Sequence, residues 1–222
     1  MANIAVVIGA RSAIGSSIIE KLAKDETVDQ VVAISRGGSP RRTEKGAKIK
    51  SISCNYSEES IKGICGGLKS AEGSITQVII CNGILHTDRI FPEKRLEDIS
   101  FATVSEVMHI NTIIPLLWLA NIGPLLKSKQ ACRVAILSAR VGSISDNRSG
   151  GWYAYRASKA ALNMLIKTAA IEFRRRAPNV KLIAFHPGTT DTKLSKPFQR
   201  SVPEGKLFTP DFVAVALIKL LK

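Results

Sequence analysis

The sequence lacks an apolar run long enough to cross a membrane. Its longest apolar stretches, such as residues 113–120, are far shorter than the ~20 residues that span a bilayer. No basic leader precedes the first apolar segment, residues 4–8, which runs directly into a glycine-containing loop. We therefore interpret that segment as a strand and not as a signal peptide. These absences predict a cytoplasmic protein with no membrane association.

Cysteine is also scarce, and its spacing excludes two common kinds of site. The four cysteines show no CxxC pair and no histidine at metal-ligand spacing, and the three histidines are isolated from one another. We expect buried reduced thiols in a reducing compartment, no disulfide framework and no metal site. The residues concerned are Cys54, Cys65, Cys81, Cys132, His86, His109 and His186.

Acidic residues are few relative to basic ones. The chain has 18 acidic and 32 basic residues, which gives a net charge of +14 and a pI near 9.9. Such a balance attracts polyanions, so nucleic-acid binding is an alternative that rests on charge alone. The charge is spread along the chain, without interleaved aromatic residues or a nucleic-acid-binding module. We expect a basic soluble surface, no specific nucleic-acid partner and a phosphorylated ligand that uses part of the charge.

Six apolar segments rich in β-branched residues alternate with stretches of helical periodicity. This alternation predicts an α/β fold with a doubly wound parallel sheet, in a single domain that spans residues 1–222. Helices are expected at residues 103–127, 155–176 and 210–221. The predicted strands are residues 4–8, 31–35, 49–54, 77–81, 133–138 and 180–186.

A glycine loop lies between the first predicted strand and the helix after it. The loop reads Gly9-Ala10-Arg11-Ser12-Ala13-Ile14-Gly15. Glycine permits a tight turn after the strand, and the free N–H groups of the following helix bind phosphate. The glycine spacing alone is weak evidence, but its position between a first strand and a first helix is typical of dinucleotide binding.

Arg36 ends the second predicted strand, where a dinucleotide fold holds the adenosine ribose. An acidic residue there accepts a hydrogen bond from the 2′-hydroxyl of NAD, whereas an arginine pairs with the 2′-phosphate of NADP. Arg36 therefore favours NADP(H), with NAD(H) possible, and Arg11 and Arg41 are candidates for the same pocket. A solvated surface position is the alternative for each of these two arginines.

Tyr155 and Lys159 lie four residues apart in a predicted helix and so share one face, one turn apart. A free phenol has a pKa near ~10, and a nearby ammonium lowers it, which allows proton transfer near neutral pH. The same spacing is common on solvated helices, so it carries weight only together with other motifs.

The predicted helix at residues 103–127 contains Pro115. We expect it to begin with a capping box formed by Thr103 and Glu106. Pro115 has no N–H for the carbonyl of Asn111, so a kink or bulge is expected, with the Asn111 carbonyl free to bind another group. A helix that merely bends around the sheet is the alternative.

Taken together, these motifs resemble those of the classical short-chain dehydrogenase/reductase family, and among its members the C-factor-like and small carbonyl-reductase proteins. The family's TGxxxGxG motif matches residues 8–15, with Ile8 and Ala13 in place of its threonine and middle glycine. Asn55 stands where the family has an aspartate near adenine, and NNAG corresponds to residues 80–83. YxxxK matches Tyr155 and Lys159, and PGxxxT matches residues 187–192.

The resemblance implies an NADP(H)-dependent oxidoreductase that reduces a carbonyl or oxidises an alcohol. Tyr155 would be the proton donor, Lys159 would lower its pKa, and the Asn111 carbonyl would hold a proton-relaying water. The resemblance also implies a homodimer or homotetramer, with residues 191–210 as the substrate loop. The implied cofactor-binding residues are Gly9, Arg11, Ser12, Ala13, Ile14, Gly15, Arg36, Asn55, Tyr56, Asn82, Gly83, Tyr155, Lys159, Pro187, Gly188, Thr190 and Thr192.

The sequence departs from the family pattern at two places. The catalytic serine is the second serine of SSxxG, but the segment here has Ser138 followed by Ala139. Neighbouring strand residues face opposite sides, so Ser138 reaches the site only through a bulge or a shifted register, and Ser143 is the next hydroxyl. Ser138 is our candidate. The missing serine also favours the alternative of a cofactor-binding regulatory protein with little turnover.

The second departure is at the end of the chain. The family usually has a last strand after the helix predicted at residues 210–221, and no such strand follows here. We therefore expect six strands, with either a truncated sequence or a usual edge that is covered another way, for instance by a partner chain.

Overall fold

A computed structural model describes residues 2–37, 48–69 and 73–222. Within them, six parallel strands form one sheet in the order β3-β2-β1-β4-β5-β6. The α/β fold and the six-stranded parallel sheet predicted from the sequence are confirmed. The strands are β1 Asn3–Ile8, β2 Gln30–Ser35, β3 Ile49–Ser53, β4 Ser74–Ile80, β5 Cys132–Leu137 and β6 Val180–Phe185.

Helices cover both faces of the sheet, which explains why the central strands are apolar along their whole length. One core layer packs helices α1 and α6 against the sheet, and the other packs α2, α4 and α5 against it. The helices are α1 Ala13–Lys24, α2 Glu58–Lys69, α3 Phe101–Met108, α4 Ile114–Ile122, α5 Tyr153–Arg176 and α6 Pro210–Leu221.

The stretch predicted as one helix at residues 103–127 is interrupted by a π-helical segment, His109–Ile113, between α3 and α4. This segment ends directly before the turn that contains Pro115, so the expected bulge is confirmed. The predicted capping box is wrong. Ser100 is the N-cap, and its hydroxyl accepts from the N–H of Thr103, so Thr103 lies inside the first turn.

Because the strands are parallel, their carboxyl ends all lie along one side of the sheet, which we call its carboxyl edge. The strand order reverses between β1 and β4, because β1 pairs with β2 on one side and with β4 on the other. Ligands of doubly wound sheets bind in the crevice at such a switch point. In the described residues no strand pairs with the outer edge of β6.

The segment predicted as the substrate loop is largely ordered. Two short strands, β7 Thr189–Thr190 and β8 Leu207–Phe208, pair in parallel at its ends. Between them a 3-10 helix spans Lys196–Ser201. Residues 38–47, which include Arg41, lie outside the described residues.

Two further expectations concern solubility and thiols. Among the described residues, the helical stretch Phe101–Leu126 has the length and composition of a membrane span, but 50% of its most apolar window is buried inside the fold. The core helix of a globular protein has the same property. The four cysteines are buried free thiols, as predicted.

Candidate active site

The glycine loop connects β1 to α1 at the switch point of the sheet. Gly9 has a φ of +80°, which favours glycine, and its N–H donates to the Ile34 carbonyl at 2.9 Å. A Cβ at Gly15 would lie 2.6 Å from the Gly9 carbonyl, so neither glycine can carry a side chain without a shift. Ser12 is the N-cap of α1, and its hydroxyl accepts from Gly15 at 3.0 Å. The loop therefore exposes backbone close to a helix N-terminus.

Two arginines meet at the carboxyl end of β2. The Arg36 guanidinium lies over the ring of Tyr56, 5.8 Å from its centroid. The Arg11 guanidinium donates to the carbonyls of Arg36 and Gly37 at 3.4 and 3.2 Å. Both side chains are exposed, so two positive charges border this corner of the crevice.

Residues at the ends of β3 and β4 complete this half of the crevice. Asn82 is buried, and its side-chain Oδ1 has no hydrogen-bond partner within the described residues. Tyr56 is buried beside it with a φ of 64°. Burial raises the pKa of Tyr56, and a hydrogen bond with the Asn82 side chain opposes that change. Asn55 is exposed, and its side chain accepts from Ser57 at 2.9 Å.

Asn111 joins three parts of the fold from the centre of the π-helical segment. Its side-chain oxygen accepts from the N–H of Ile84 at 2.7 Å, and its amide donates to the Ile84 carbonyl at 2.9 Å. The same amide donates to the Ser158 hydroxyl at 3.1 Å. Asn111 is fully buried. These bonds fix the loop after β4 against α5, close to Gly83.

Lys159 is the buried cation of the site. Only 3% of its surface is exposed, and its Nζ donates to the Leu137 carbonyl, at the end of β5, at 2.9 Å. Burial lowers the pKa of Lys159 to about 8. A Cβ at Gly83 would lie 3.6 Å from that Nζ, so the glycine leaves the ammonium room. Among the described residues no carboxylate forms an ion pair with Lys159.

Tyr155 lies one turn before Lys159 on α5, as predicted. Burial raises the pKa of Tyr155 to about 12, opposite to the direction expected from the sequence. The physical reason is that Lys159 donates to Leu137 and is itself desolvated, so removal of the phenol from water dominates. In this structure Tyr155 is therefore protonated across the neutral range.

Ser138 does not point towards Tyr155 but towards a later turn of α5. Its hydroxyl donates to the Asn163 side chain at 2.6 Å, and it is only 7% exposed. Asn163 is about two turns, or about 12 Å along the axis, beyond Tyr155. Strand alternation accounts for this, because β5 ends at Leu137 without a bulge. The contact supports a structural role for Ser138, and its catalytic role stays a prediction.

Ser138 and Ala139 line a cavity of about 370 Å³ together with Arg140, Ser143 and His186. Ser143 is the second hydroxyl considered from the sequence. It lies 3.5 Å from the Ser145 hydroxyl in an exposed position. Burial and the Arg140 charge lower the pKa of His186.

The motif at residues 187–192 lies directly after β6. Gly188 has a φ of +71°, and a Cβ there would lie 2.5 Å from the Phe208 ring. The Thr190 hydroxyl donates to the Pro187 carbonyl at 3.4 Å, and the N–H of Thr192 donates to the Ser195 hydroxyl at 3.2 Å. The Ser195 hydroxyl in turn donates to the Thr190 carbonyl at 2.5 Å. These bonds anchor the start of the predicted substrate loop to the carboxyl edge of the sheet.

Glu93 contributes to the site, although no pattern in the sequence had indicated it. It is 3% exposed, and its carboxylate accepts from the N–H of Ala154, in the first turn of α5, at 3.2 Å. Its backbone carbonyl accepts from the N–H of Trp152 at 2.5 Å. Glu93 thus holds the end of α5 that carries Tyr155. A single acid between Pro92 and Lys94 gives no periodic or spacing signal.

The crevice fits a dinucleotide on observations from both of its halves. The glycine loop leaves backbone exposed at a helix N-terminus, and the buried Asn82 oxygen lacks a partner. In the other half, Lys159 and Tyr155 lie at the same carboxyl edge of the sheet. The fold and site together define a Rossmann-type protein built for dinucleotide-dependent chemistry.

Comparison with known proteins gives the family. The sequence model of the short chain dehydrogenase family matches residues 3–202, so the chain belongs to that family. It is therefore an oxidoreductase of the NAD(P)(H)-binding type.

Two curated relatives are similar over nearly the whole chain, and a third is similar over about half of it. A 1-hydroxy-2-glutathionyl-2-methyl-3-butene dehydrogenase from Rhodococcus is 29% identical over 96% of this chain and 88% of that protein. A benzil reductase from Bacillus cereus is 25% identical over 98% and 93%. The C-signal protein of Myxococcus xanthus is 34% identical over 46% of this chain and 60% of its own length.

Solved structures show the same fold at lower identity. The carbonyl reductase Sniffer of D. melanogaster has a TM-score of 0.81 at 15% identity, covering 100% of this chain and 92% of that one. An NADPH-bound carbonyl reductase from chicken fatty liver has a TM-score of 0.81 at 22% identity, covering 99% and 87%.

Proposed function

We propose that the protein is an NADP(H)-dependent reductase that converts a carbonyl to an alcohol or catalyses the reverse reaction. Reduction adds a hydride to the carbonyl carbon and a proton to its oxygen, and the reduced nicotinamide supplies the hydride. The remaining work falls to residues of this chain, which orient the substrate and move the proton. The names of the benzil and carbonyl reductases among its relatives support this reaction class.

The burial of Lys159 is the observation that carries the proposal. Desolvating an ammonium is costly, and burial alone accounts for the lowered pKa of Lys159. A buried lysine with a lowered pKa is typical of a functional site. Lys159 also lies one turn from Tyr155, at the carboxyl ends of the strands, where doubly wound sheets bind their ligands. The Asn111 hydrogen bonds with Ile84 and Ser158 then hold the surrounding backbone in place.

Tyr155 is the proposed proton donor. Because burial raises the pKa of Tyr155 to about 12, its hydroxyl carries a proton at neutral pH and is ready to donate to a developing alkoxide. Lys159 lies one turn away, and its proposed role is to stabilise the phenolate that forms.

Arg36 and Arg11 are proposed to bind the 2′-phosphate, which gives the preference for NADP(H). Both guanidinium groups are exposed at the end of β2 and are free of ion pairs with described carboxylates. Guanidinium groups form strong charge-assisted bonds with phosphate. The remaining proposed contacts come from the glycine loop, from Asn55, Tyr56, Asn82 and Gly83, and from the 187–192 motif.

The test is oxidation of NADPH with a panel of aldehydes, ketones and quinones, and with NADH as the cofactor control. We expect turnover with at least one class of carbonyl and a higher kcat/KM for NADPH than for NADH. Retained NADPH binding without turnover on any member would overturn the reductase assignment. Equal kcat/KM for NADPH and NADH would overturn only the role proposed for Arg36 and would leave the reductase assignment standing.

A second candidate is a cofactor-binding regulatory protein with little turnover. The observation that favours it is the bond between Ser138 and Asn163, beside an alanine where the family has its catalytic serine. The similarity to the C-signal protein fits this alternative. Tight NADPH binding that changes a partner interaction without consuming NADPH would distinguish it from a reductase.

We also propose that the protein is a homodimer or homotetramer that associates through α5 and the helical stretch Phe101–Leu126. Exposed apolar side chains on them include Ile113 at 44%, Met164 at 66% and Ile171 at 43%. Burial of such residues in a second copy removes apolar surface from water. Light scattering coupled to gel filtration tests this, and a monomer at micromolar concentration would overturn it.

A further inference from the structure

Three aromatic rings follow one another from the substrate loop to the proposed proton donor. The ring of Phe198, in the 3-10 helix Lys196–Ser201, lies 4.9 Å from that of Trp152 at an interplanar angle of 62°. The Trp152 ring lies 6.3 Å from that of Tyr155 at 74°. Both contacts are edge-to-face, the arrangement that aromatic pairs prefer. We call Trp152 and Phe198 the aromatic wall.

The backbone holds both members of the wall. Trp152 has a φ of +55°, and its N–H donates to the Glu93 carbonyl at 2.5 Å. Phe198 is carried by a helix that begins after Ser195, whose hydroxyl bonds to the Thr190 carbonyl. The Gln199 amide also donates to the Ser195 hydroxyl, at 2.9 Å. The wall is therefore fixed relative to the carboxyl edge of the sheet before any substrate arrives.

A third ring, that of His86, also contacts Phe198. The two rings lie 5.7 Å apart, and His86 Nε2 is 3.1 Å from the carbonyl of Lys193, in the substrate loop. His86 thus connects the loop after β4 to the substrate loop. The Phe198 ring therefore contacts both His86 and Trp152.

The wall is partly exposed, unlike the second tryptophan of the chain. Trp118 is completely buried in the core and contacts Tyr56, whereas Trp152 and Phe198 are only half-buried. Exposed aromatic surface one ring away from a catalytic group offers a flat substrate the same edge-to-face contacts that the wall residues make with each other.

We propose that the aromatic wall selects aryl carbonyl compounds, with Trp152 and Phe198 as the specificity-determining residues. This inference rests on the proposed reductase function, because it names the substrate class of the same site. On this proposal an aryl group lies against the wall and its attached carbonyl lies at the Tyr155 hydroxyl. A saturated ring of similar size lacks the quadrupole that edge-to-face contact uses.

The kinetic test compares benzaldehyde with cyclohexanecarbaldehyde, using NADPH. We expect kcat/KM to be about tenfold higher for benzaldehyde, as aromatic pairing energies indicate. In Phe198→Leu and Trp152→Leu the two aldehydes should become nearly equal. Phe101→Leu is the matched control, because Phe101 is 90% exposed at the start of α3, outside the wall, and it should keep the preference.

The binding test requires no turnover. In a Trp118→Phe background Trp152 is the only tryptophan, so its fluorescence reports ligand at the wall. Trp118→Phe removes a buried indole N–H that has no partner among the described residues, and circular dichroism checks that this background is folded. We expect benzyl alcohol to change the emission at lower concentration than cyclohexylmethanol, and Phe198→Leu to weaken the benzyl alcohol response several-fold.

The outcomes separate the two proposals. Equal turnover of both aldehydes by the unmodified protein would overturn the aromatic wall and leave the reductase function standing. Selective binding of benzyl alcohol that Phe198→Leu abolishes, without turnover of any member of the carbonyl panel, would support the wall and overturn the reductase function. Absence of both selective binding and turnover of any panel member would overturn both proposals.

Discussion

The Ser138 hydroxyl donates its hydrogen to the Asn163 side chain at 2.6 Å, which ties the end of β5 to the middle of α5. A hydroxyl committed in this way has no hydrogen left for a substrate oxygen. We therefore expect Ser138→Ala to lower the free energy of unfolding by about 1 kcal/mol, the usual value of one such bond, and to change kcat less than threefold or so. Denaturant unfolding and steady-state kinetics measure the two effects.

Ala139→Ser is the matched variant for this prediction. Ala139 stands where the family has its catalytic serine, and its backbone is extended, so a hydroxyl at this position leaves the chain in another direction than that of Ser138 and is free of the bond to Asn163. We expect this variant to raise kcat/KM by about 10²-fold, the lower end of the contribution of a single oxyanion donor. A large loss of kcat in Ser138→Ala, with no gain in Ala139→Ser, would restore the catalytic role predicted for Ser138.

Replacing Lys159 should stabilise the protein while abolishing its activity. Burial lowers the pKa of Lys159 from 10.5 to about 8, so the folded state disfavours the ammonium. At pH 7 the full penalty is present, because lysine is protonated in both states. Lys159→Met removes the penalty, and we expect a gain on the order of 2 kcal/mol in the free energy of unfolding.

The pH dependence provides the control for the Lys159 prediction. Between pH of about 8 and 10.5 the unfolded lysine binds a proton that the folded one has lost, so the stability of the unmodified protein rises with pH in that window. Lys159→Met should lack this rise. Parallel stability curves for the two proteins would contradict the burial argument.

Tyr155→Phe should remove the chemical step and leave cofactor binding intact. The phenylalanine ring keeps the contact with Trp152 but has no proton to donate. We expect kcat to fall by about 10²- to 10⁴-fold, the usual contribution of general acid catalysis, with an unchanged Kd for NADPH. Stopped-flow rates and fluorescence titration measure these quantities, and full activity in this variant would contradict the mechanism.

Arg36→Ala should weaken NADPH binding about 10- to 100-fold, as expected for the loss of a charge-assisted bond to phosphate. The Kd for NADH, which has no 2′-phosphate, should change little. Arg200→Ala is a control for the general loss of positive charge, because Arg200 is exposed in the substrate loop. Equal weakening of NADPH and NADH by Arg36→Ala would assign Arg36 a structural role.

Glu93→Ala should disturb the start of α5. It leaves the buried N–H of Ala154 without its acceptor, at a cost of about 1 to 3 kcal/mol in stability. Because Tyr155 follows Ala154 directly, kcat should fall about tenfold, with little change in the KM for NADPH. Glu93→Gln keeps an acceptor oxygen and should restore most of the activity. A purely structural role predicts lower stability in Glu93→Ala with unchanged kcat.

The repeated apolar segments were sufficient to predict the sheet. A central parallel strand such as β1 is buried on both faces, and this burial requires an apolar sequence that is visible without a structure. Pro115 was equally informative, because the missing N–H cannot be compensated within an ordinary helix turn. The site motifs were found for the same reason, since each requires particular residues at fixed spacing.

Side-chain direction and desolvation were not predictable from spacing. The pKa of Tyr155 depends on how much water reaches the phenol and on where the Lys159 ammonium points, and neither follows from four-residue separation. The capping box at Thr103 failed because Ser100 offers the same hydroxyl three residues earlier. Glu93 and Phe198 act through contacts between segments far apart in the sequence, so no local pattern marks them.

The reactivity of the four buried cysteines measures how often the structure around each of them opens. Burial raises the pKa of Cys81 and Cys132 to about 12, so at neutral pH these thiols react with alkylating reagents only when the surrounding structure opens. Cys81 lies against Gly9, in the crevice, whereas Cys132 begins β5 at the opposite edge of the sheet. The alkylation rates of these two thiols, compared by mass spectrometry, therefore report separately on local opening of the crevice and on local opening at the amino ends of the strands.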